Sequence, residues 1–392
     1  MAKQAAPASK ARFFATAAKG TETLLGDELR EIGVPEVRPA RGGVYFGLGP
    51  PDAYRVCLWS RIAMRILEPL ASFECKNGDD LYEGVKAIDW FAYLGTDRTL
   101  AVRAAGRNDQ LTHTHFIAVR TKDAIVDQLR ERHGARPNVD RDSPDLLLFV
   151  HLVGNRATVN LDYSGGSLHE HGFRVEEGLA PLRETLAAAL VRFSGWQGES
   201  PLVDPMCGSG TLLLEAGLWA ARRAPGLHRE RFGFERWSSF DASAKRALDD
   251  LREAARSAER PLPPLFGSDT DPRAIEQTAA NAARAKVKIE LRTLPFTRLR
   301  PESASGALLA NPPYGQRLDR PADLEKGIDA LLERFASHQR ALIVPKGFES
   351  RLRSTRFQAV FNGPIECELR RYDAAGPRLS FRPRPGPANT PG

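Results

Sequence analysis

At 392 residues, with 42% hydrophobic content and a formal net charge of +7, the chain is long enough for two or three domains with real cores, and it favours a polyanionic partner. No apolar run approaches a membrane span, and residues 1–11 lack the apolar centre of a signal peptide, so a cytoplasmic protein without a membrane partner is expected. Cys57, Cys75, Cys207 and Cys367 are scattered without a Cys-x-x-Cys pair, which suggests neither a zinc site nor a disulfide framework; no metal is expected.

Taken in chain order, residues from about 11 to 165 mix short β-rich pieces (Gly43 to Leu48, Thr99 to Arg103, Leu146 to Val153, Thr158 to Tyr163) with helix candidates at Thr21 to Ile32, Asp52 to Leu67 and His115 to His133. The last of these carries Phe116, Val119, Ala124, Ile125 and Leu129 at approximately helical spacing. This half reads as α+β. Ser164-Gly165-Gly166-Ser167 reads as a hinge-like linker. Beyond it, strands at Leu202 to Asp204, Leu265 to Asp269, Ile289 to Arg292, Ala307 to Ala310 and Ala341 to Val344 alternate with helices, the pattern of a parallel sheet. Phe357 to Phe361 and Ile365 to Arg370 flank Asn362-Gly363, a strong hairpin signal. Residues 376–392 are rich in Pro, Gly and Arg and are expected to be a disordered tail.

Charge is unevenly spread. Residues 1–180 carry 23 Lys and Arg against 24 Asp and Glu, whereas residues 181–392 carry 33 against 25. The His113/His115 and His169/His171 pairs can chelate by spacing, but with no Cys cluster nearby they read as RNA contacts or surface positions.

Two motifs carry chemistry. Asp204-Pro205-Met206-Cys207-Gly208-Ser209-Gly210-Thr211 follows a short buried strand and opens the apolar helical run Leu212 to Ala224. Its glycines let the backbone pass close to a ligand, and the helix N-terminus beyond favours a carboxylate. Asp204 at the strand end repels phosphate and suits a cationic amine, and no Gly-Lys-Ser/Thr is present for a triphosphate. An amine, a carboxylate and a sulfonium together describe S-adenosylmethionine. Asp269, ending the next strand, is placed to accept both ribose hydroxyls, with Asp271 as N-cap of the helical run from Pro272 to Ala285. The second motif is Asn311-Pro312-Pro313-Tyr314, directly after an apolar strand. The Asn311 side-chain oxygen and the Pro312 carbonyl can each accept one N–H of an exocyclic base amine, pulling the nitrogen towards tetrahedral geometry and freeing its lone pair. Pro312 and Pro313 offer no competing N–H, and Tyr314 gives a face on which an unstacked base can lie. Taken alone this is equally a Pro-rich turn with a packed Tyr; the cofactor motif upstream decides it.

End to end, the chain resembles the bacterial large-subunit ribosomal RNA guanine-N2 methyltransferases of the RlmL type. The resemblance rests on Phe14-Ala15-Thr16, Arg41-Gly42-Gly43-Val44, Leu58-Trp59-Ser60-Arg61, Thr121 to Asp127, Arg136-Pro137-Asn138-Val139-Asp140, Ala180 to Ala187, Asp204 to Thr211 and Asn311 to Gly315. It implies a class I, Rossmann-like α/β methyltransferase domain at 181–375, preceded by an α+β ferredoxin-like region at 11–70, an overlapping THUMP RNA-binding domain at 43–165 and a linker at 166–180. It also implies that Asp204 to Thr211 and Asp269 serve the cofactor, that Asn311 to Tyr314 face the guanine, and that Glu184 belongs to the segment completing the cofactor pocket. The family's fused second methyltransferase half has no counterpart here, so a single-activity member is expected. Where the family has an acidic residue after the third strand, this chain has Thr293, whose hydroxyl is then the candidate for the cofactor's adenine. Arg120, Lys122, Arg130, Arg136 and Asn138 are the candidate RNA contacts, although a solvated helix face explains those charges equally well. The expected substrate is 23S ribosomal RNA or a large-subunit assembly precursor. A transfer RNA guanine, a DNA adenine N6 and a non-catalytic role in ribosome assembly are the alternatives.

Overall fold

The computed structural model describes residues 11–95, 97–134, 136–173, 182–313 and 321–375. The chain runs β1 (Phe13–Thr16), α1 (Glu22–Ile32), β2 (Arg38–Ala40), β3 (Gly43–Phe46), α2 (Pro50–Trp59), β4 (Arg65–Glu74), α3 (Gly78–Lys86), β5 (Thr99–Arg107), α4 (Thr114–His133), β6 (Asn138–Val139), β7 (Leu146–Val153) and β8 (Arg156–Asp162). These strands form one eight-stranded sheet in the order β2-β3-β1-β4-β8-β7-β5-β6. The long strand β4 joins its two ends: it pairs with β1 through Arg65 to Leu67 and with β8 from Leu67 to Glu74.

The helix expected over Asp52 to Leu67 stops at Trp59. A residue some thirty positions upstream ends it. The buried Glu28 carboxylate accepts the Ser60 hydroxyl and the backbone N–H groups of Arg61 and Ile62, so those donors have no need of a helical carbonyl. From Arg65 the chain is strand, with Ile66 fully buried. The Ser164 to Ser167 linker is also less free than its composition suggests. Ser164 is buried and bonds to Asp162, and Gly233 donates its N–H to the Tyr163 carbonyl at 3.1 Å.

The second half runs α5 (Glu184–Ser194), β9 (Leu202–Asp204), α6 (Thr211–Ala220), α7 (Ala242–Ser257), β10 (Leu265–Asp269), α8 (Pro272–Ala285), β11 (Glu290–Thr293), β12 (Ala307–Ala310), α9 (Pro321–Arg334), β13 (Gln339–Pro345), β14 (Arg356–Asn362) and β15 (Ile365–Tyr372). Its seven-stranded sheet has the order β11-β10-β9-β12-β13-β15-β14, parallel except for β15, which is antiparallel to both of its neighbours. The expected strands and terminal hairpin are present. Helix α6 ends at Ala220, before the expected Ala224, and Arg222 turns left-handed (φ 54°) ahead of Pro225.

An aromatic seam joins the halves. Residues 225–240 place Phe232, Phe234 and Trp237 against the N-terminal region, with Phe234 stacked on Tyr54 at 4.1 Å and Trp237 edge-on to Tyr163 at 4.7 Å. Each such buried ring contributes about 1.5–3 kcal/mol by burial. At the opposite side the terminal hairpin reaches the loop between β1 and α1. Gln358 donates to the Gly20 carbonyl, Lys19 lies 4.0 Å over the Phe361 ring, and Gly20 (φ +91°) sits so close to the Ala359 carbonyl that no side chain fits there.

Candidate active site

Strand β9 lies inside the second sheet, between β10 and β12. The chain leaves it outward through β10 and β11, then returns to its other side with β12. Such a switch point opens a crevice at the carboxyl ends of the strands. Both sequence motifs end there: β12 pairs with β9 through Leu308 and Val203, so the Asn311 loop and the Asp204 loop leave adjacent strands.

The Asp204 loop is tightly built. Asp204 is 1% exposed, and its Oδ1 accepts the Met206 N–H at 3.1 Å. Cys207 N–H reaches the Ser268 carbonyl at 3.0 Å, and Gly210 N–H the Cys207 carbonyl at 2.8 Å. Gly210 (φ +82°) is the N-cap of α6, and a Cβ there would meet Thr278 at 2.7 Å. Around Gly208 a Cβ would meet nothing, which leaves a cradle open to a ligand. Asp269 joins the two strand ends: its Oδ2 accepts Gly208 N–H at 2.9 Å and its Oδ1 accepts Asp271 N–H at 3.1 Å. Thr293 pairs with Asp269 across β11 and β10, so it stands at the same edge. Asp271 caps α8 through Arg273 N–H, with Pro272 in the first turn.

Burial pushes the Asp204 carboxyl up to about 8, with Asp269 adding to the shift. A buried acid held so far above its ordinary range gains most from a cationic partner. Burial likewise pushes the Cys207 thiol up, which suits a packed wall of the loop and not a nucleophile. Asn311 completes the arrangement. Its side-chain oxygen is buried and has no hydrogen-bond partner among the described residues. An unsatisfied buried acceptor costs about 1–3 kcal/mol, so its presence at the crevice marks a place for an incoming donor. Pro312 and Pro313 follow it, while Tyr314 lies outside the described residues.

Sequence reasoning missed the braces behind the loop. Thr278 donates to the Gly208 carbonyl at 2.7 Å and Asn281 to the Ser209 carbonyl at 2.9 Å, so α8 holds the turn from outside. Two polar residues three apart in an Ala-rich helix were the only signal. It also misplaced His171, expected at the surface or on RNA. The ring is buried, its Nδ1 is 2.6 Å from Glu215 of α6, and its backbone N–H donates to Glu184. Arg61 reaches the other Glu215 oxygen at 3.2 Å from the N-terminal half. The His171 ring and the Arg61 guanidinium, both hydrogen-bonded to it, hold the Glu215 carboxyl below its ordinary value despite complete burial. Glu184 therefore stands in this network at the first turn of α5.

The candidate RNA contacts are largely engaged. Arg120 bonds to the Gly78 carbonyl and Asp79 and lies over the Tyr82 ring; Lys122 pairs with Asp123, and Arg130 with Asp127. Arg136 and Asn138 are exposed beyond the end of α4.

Residues 171–370 match the family described as RMKL-like, methyltransferase domain; residues 75–162 match the THUMP domain and residues 12–67 the RlmL ferredoxin-like domain. The chain is 41% identical to a ribosomal RNA large subunit methyltransferase K/L of Methylococcus capsulatus over 97% of its own length and 53% of that protein's, so it spans about half of that relative. It is 40% identical to a putative RNA methyltransferase of Synechocystis, covering 92% of this chain and 96% of that one. Among solved structures, SMU.472, a putative methyltransferase complexed with SAH, is similar with a TM-score of 0.82 and 27% identity, covering 94% of this chain and 99% of that one. A predicted N6-adenine-specific DNA methylase from Listeria monocytogenes is similar with a TM-score of 0.80 and 28% identity, covering 93% and 96%. The chain belongs to the RMKL-like methyltransferase family, with a ferredoxin-like and a THUMP domain ahead of the methyltransferase domain.

Proposed function

We propose that this chain methylates the exocyclic N2 amine of a guanine in 23S ribosomal RNA, or in a large-subunit assembly precursor, with S-adenosylmethionine as cofactor. The orphaned Asn311 oxygen carries the reading. It is a fixed acceptor at the switch point, beside a cofactor loop whose buried acid needs a cation.

The residues present fit the cofactor. Asp204 suits its amino group, the N-terminus of α6 at Thr211 its carboxylate, Asp269 its ribose hydroxyls and Thr293 its adenine. When bound, it supplies an activated methyl group whose transfer leaves a neutral thioether. The chain does the rest by placement. Asn311 and the Pro312 carbonyl hold the two amine hydrogens, so the nitrogen lone pair points at the methyl; after transfer the nitrogen sheds one proton to water. Preorganised acceptors of this kind are worth about a hundredfold to a thousandfold in rate when one is removed. Asn311→Ala should therefore lower turnover by roughly that factor while leaving cofactor affinity, read by calorimetry, nearly unchanged. An equal loss of both would make Asn311 a structural residue only.

An adenine N6 target is the second reading, because the same pair of acceptors suits any exocyclic base amine. Mass spectrometry of ribosomal RNA, transfer RNA and DNA from cells with and without the gene separates the two. Loss of an N2-methylguanine from 23S fragments supports the first reading; loss confined to transfer RNA or DNA removes it.

A further inference from the structure

Helix α6 opens at the cofactor loop and is apolar along Leu212 to Leu214 and Ala216 to Ala220. Glu215 is the one charged residue among its ten, and its side chain is fully buried. A carboxylate taken out of water at such a position is tolerated only when it is paired. Two partners meet it. The His171 ring lies 2.6 Å from one oxygen, and the Arg61 guanidinium lies 3.2 Å from the other, across 154 positions of sequence. Burial works to raise the carboxyl, and these two groups outweigh it.

Arg61 is itself fixed from behind. It follows α2 in the ferredoxin-like region, is 5% exposed, and donates its backbone N–H to Glu28 at 2.9 Å. Its Nη2 donates to the Arg223 carbonyl. Arg223 closes the far end of α6, because its N–H returns to the Leu218 carbonyl at 3.0 Å, past the left-handed Arg222. One guanidinium from the N-terminal half therefore grips α6 at its second turn and at its closing turn. The chain just beyond is pressed onto α2, since a Cβ on Gly226 would meet the Leu58 Cα at 2.7 Å. The first turn of α6, with Gly210 and Thr211, is thus placed by contacts made in the other half of the molecule.

We propose that Arg61 is a positioning residue for the cofactor, acting through Glu215 and Arg223 on the first turn of α6. The inference rests on the proposed placement of the cofactor's carboxylate at Thr211, and it adds a side chain of the N-terminal half to what that site requires. The test uses the full chain, with S-adenosylhomocysteine as the probe in calorimetry and hydrogen exchange on the cofactor-free protein. Arg61→Met leaves Glu215 short of a cation and should bind the probe roughly tenfold more weakly, the size of an ordinary coupling between sites. Arg61→Lys restores the charge and should recover most of that loss. The double variant Arg61→Met, Glu215→Gln removes the uncompensated charge, so its thermal midpoint should return towards the wild type while probe affinity stays low. In that variant the amides of 214–218 should exchange faster than in the wild type, with β9 and β12 unchanged. Wild-type affinity in Arg61→Met, affinity that recovers with the thermal midpoint in the double variant, or exchange that rises equally in all three elements would overturn the inference and leave Arg61 a structural tie. Asp204→Asn is the control for the site itself. If it binds the probe like the wild type while Arg61→Met binds weakly, the proposed cofactor placement falls and the link from Arg61 to cofactor affinity stands.

Discussion

The two sheets of this protein use their edges and faces in opposite ways. In the seven-stranded sheet the candidate site lies at strand ends, where Asp204, Asp269 and Asn311 leave neighbouring strands, and α8 braces the Gly208–Ser209 turn from outside. In the eight-stranded sheet one face packs against α3 and α4, and on the other, among the described residues, Arg103, His151, Val153 and Arg156 are exposed. A small ligand needs a few groups fixed to within a fraction of an ångström, which strand ends supply. A long polyanion needs spread charge, which a face supplies. The seam of Phe232, Phe234 and Trp237 packs the two halves against each other.

The largest expected effect breaks that seam. Phe234→Ala should cost about 3–5 kcal/mol and, in calorimetry, split one thermal transition into two as the sheets lose their shared aromatic contact. A single transition at the wild-type temperature would show that the halves are independent. Next, Asp204→Asn should weaken cofactor binding by about 1.5–3 kcal/mol, since a charged hydrogen bond to an amine is replaced by a neutral one. The same change should raise the stability of the cofactor-free protein at neutral pH. Burial pushes the folded carboxyl up to about 8 against an ordinary 3.8, so its ionisation costs nothing below about pH 4, destabilises increasingly as pH rises from about 4, and reaches its full cost by about pH 8. Denaturant midpoints for wild type and variant should converge below about pH 4, separate progressively up to about pH 8 and then run parallel; curves parallel throughout would contradict the raised carboxyl. The smallest effect is at the brace: Asn281→Ala removes one bond to the Ser209 carbonyl and should weaken cofactor affinity by about 1 kcal/mol, with global stability little altered.

What was legible in the sequence was local. Strands β9 and β10 end in Asp and β12 runs directly into Asn311, so the candidate residues follow from short strands legible in the sequence. What was illegible depended on partners remote in the chain. Glu28 ends α2, Glu215 draws in His171 and Arg61, and acids one turn or one helix away neutralise the basic residues of α4.

The grip of the terminal hairpin on Gly20 has a consequence for how the protein is made. The loop after β1 is synthesised 338 residues before Gln358, which with Ala359 and Phe361 closes over it. Vectorial folding of the amino-terminal module is therefore incomplete until β14 arrives, and a nascent chain arrested before that strand would expose the Gly20 turn to proteolysis that the finished protein resists.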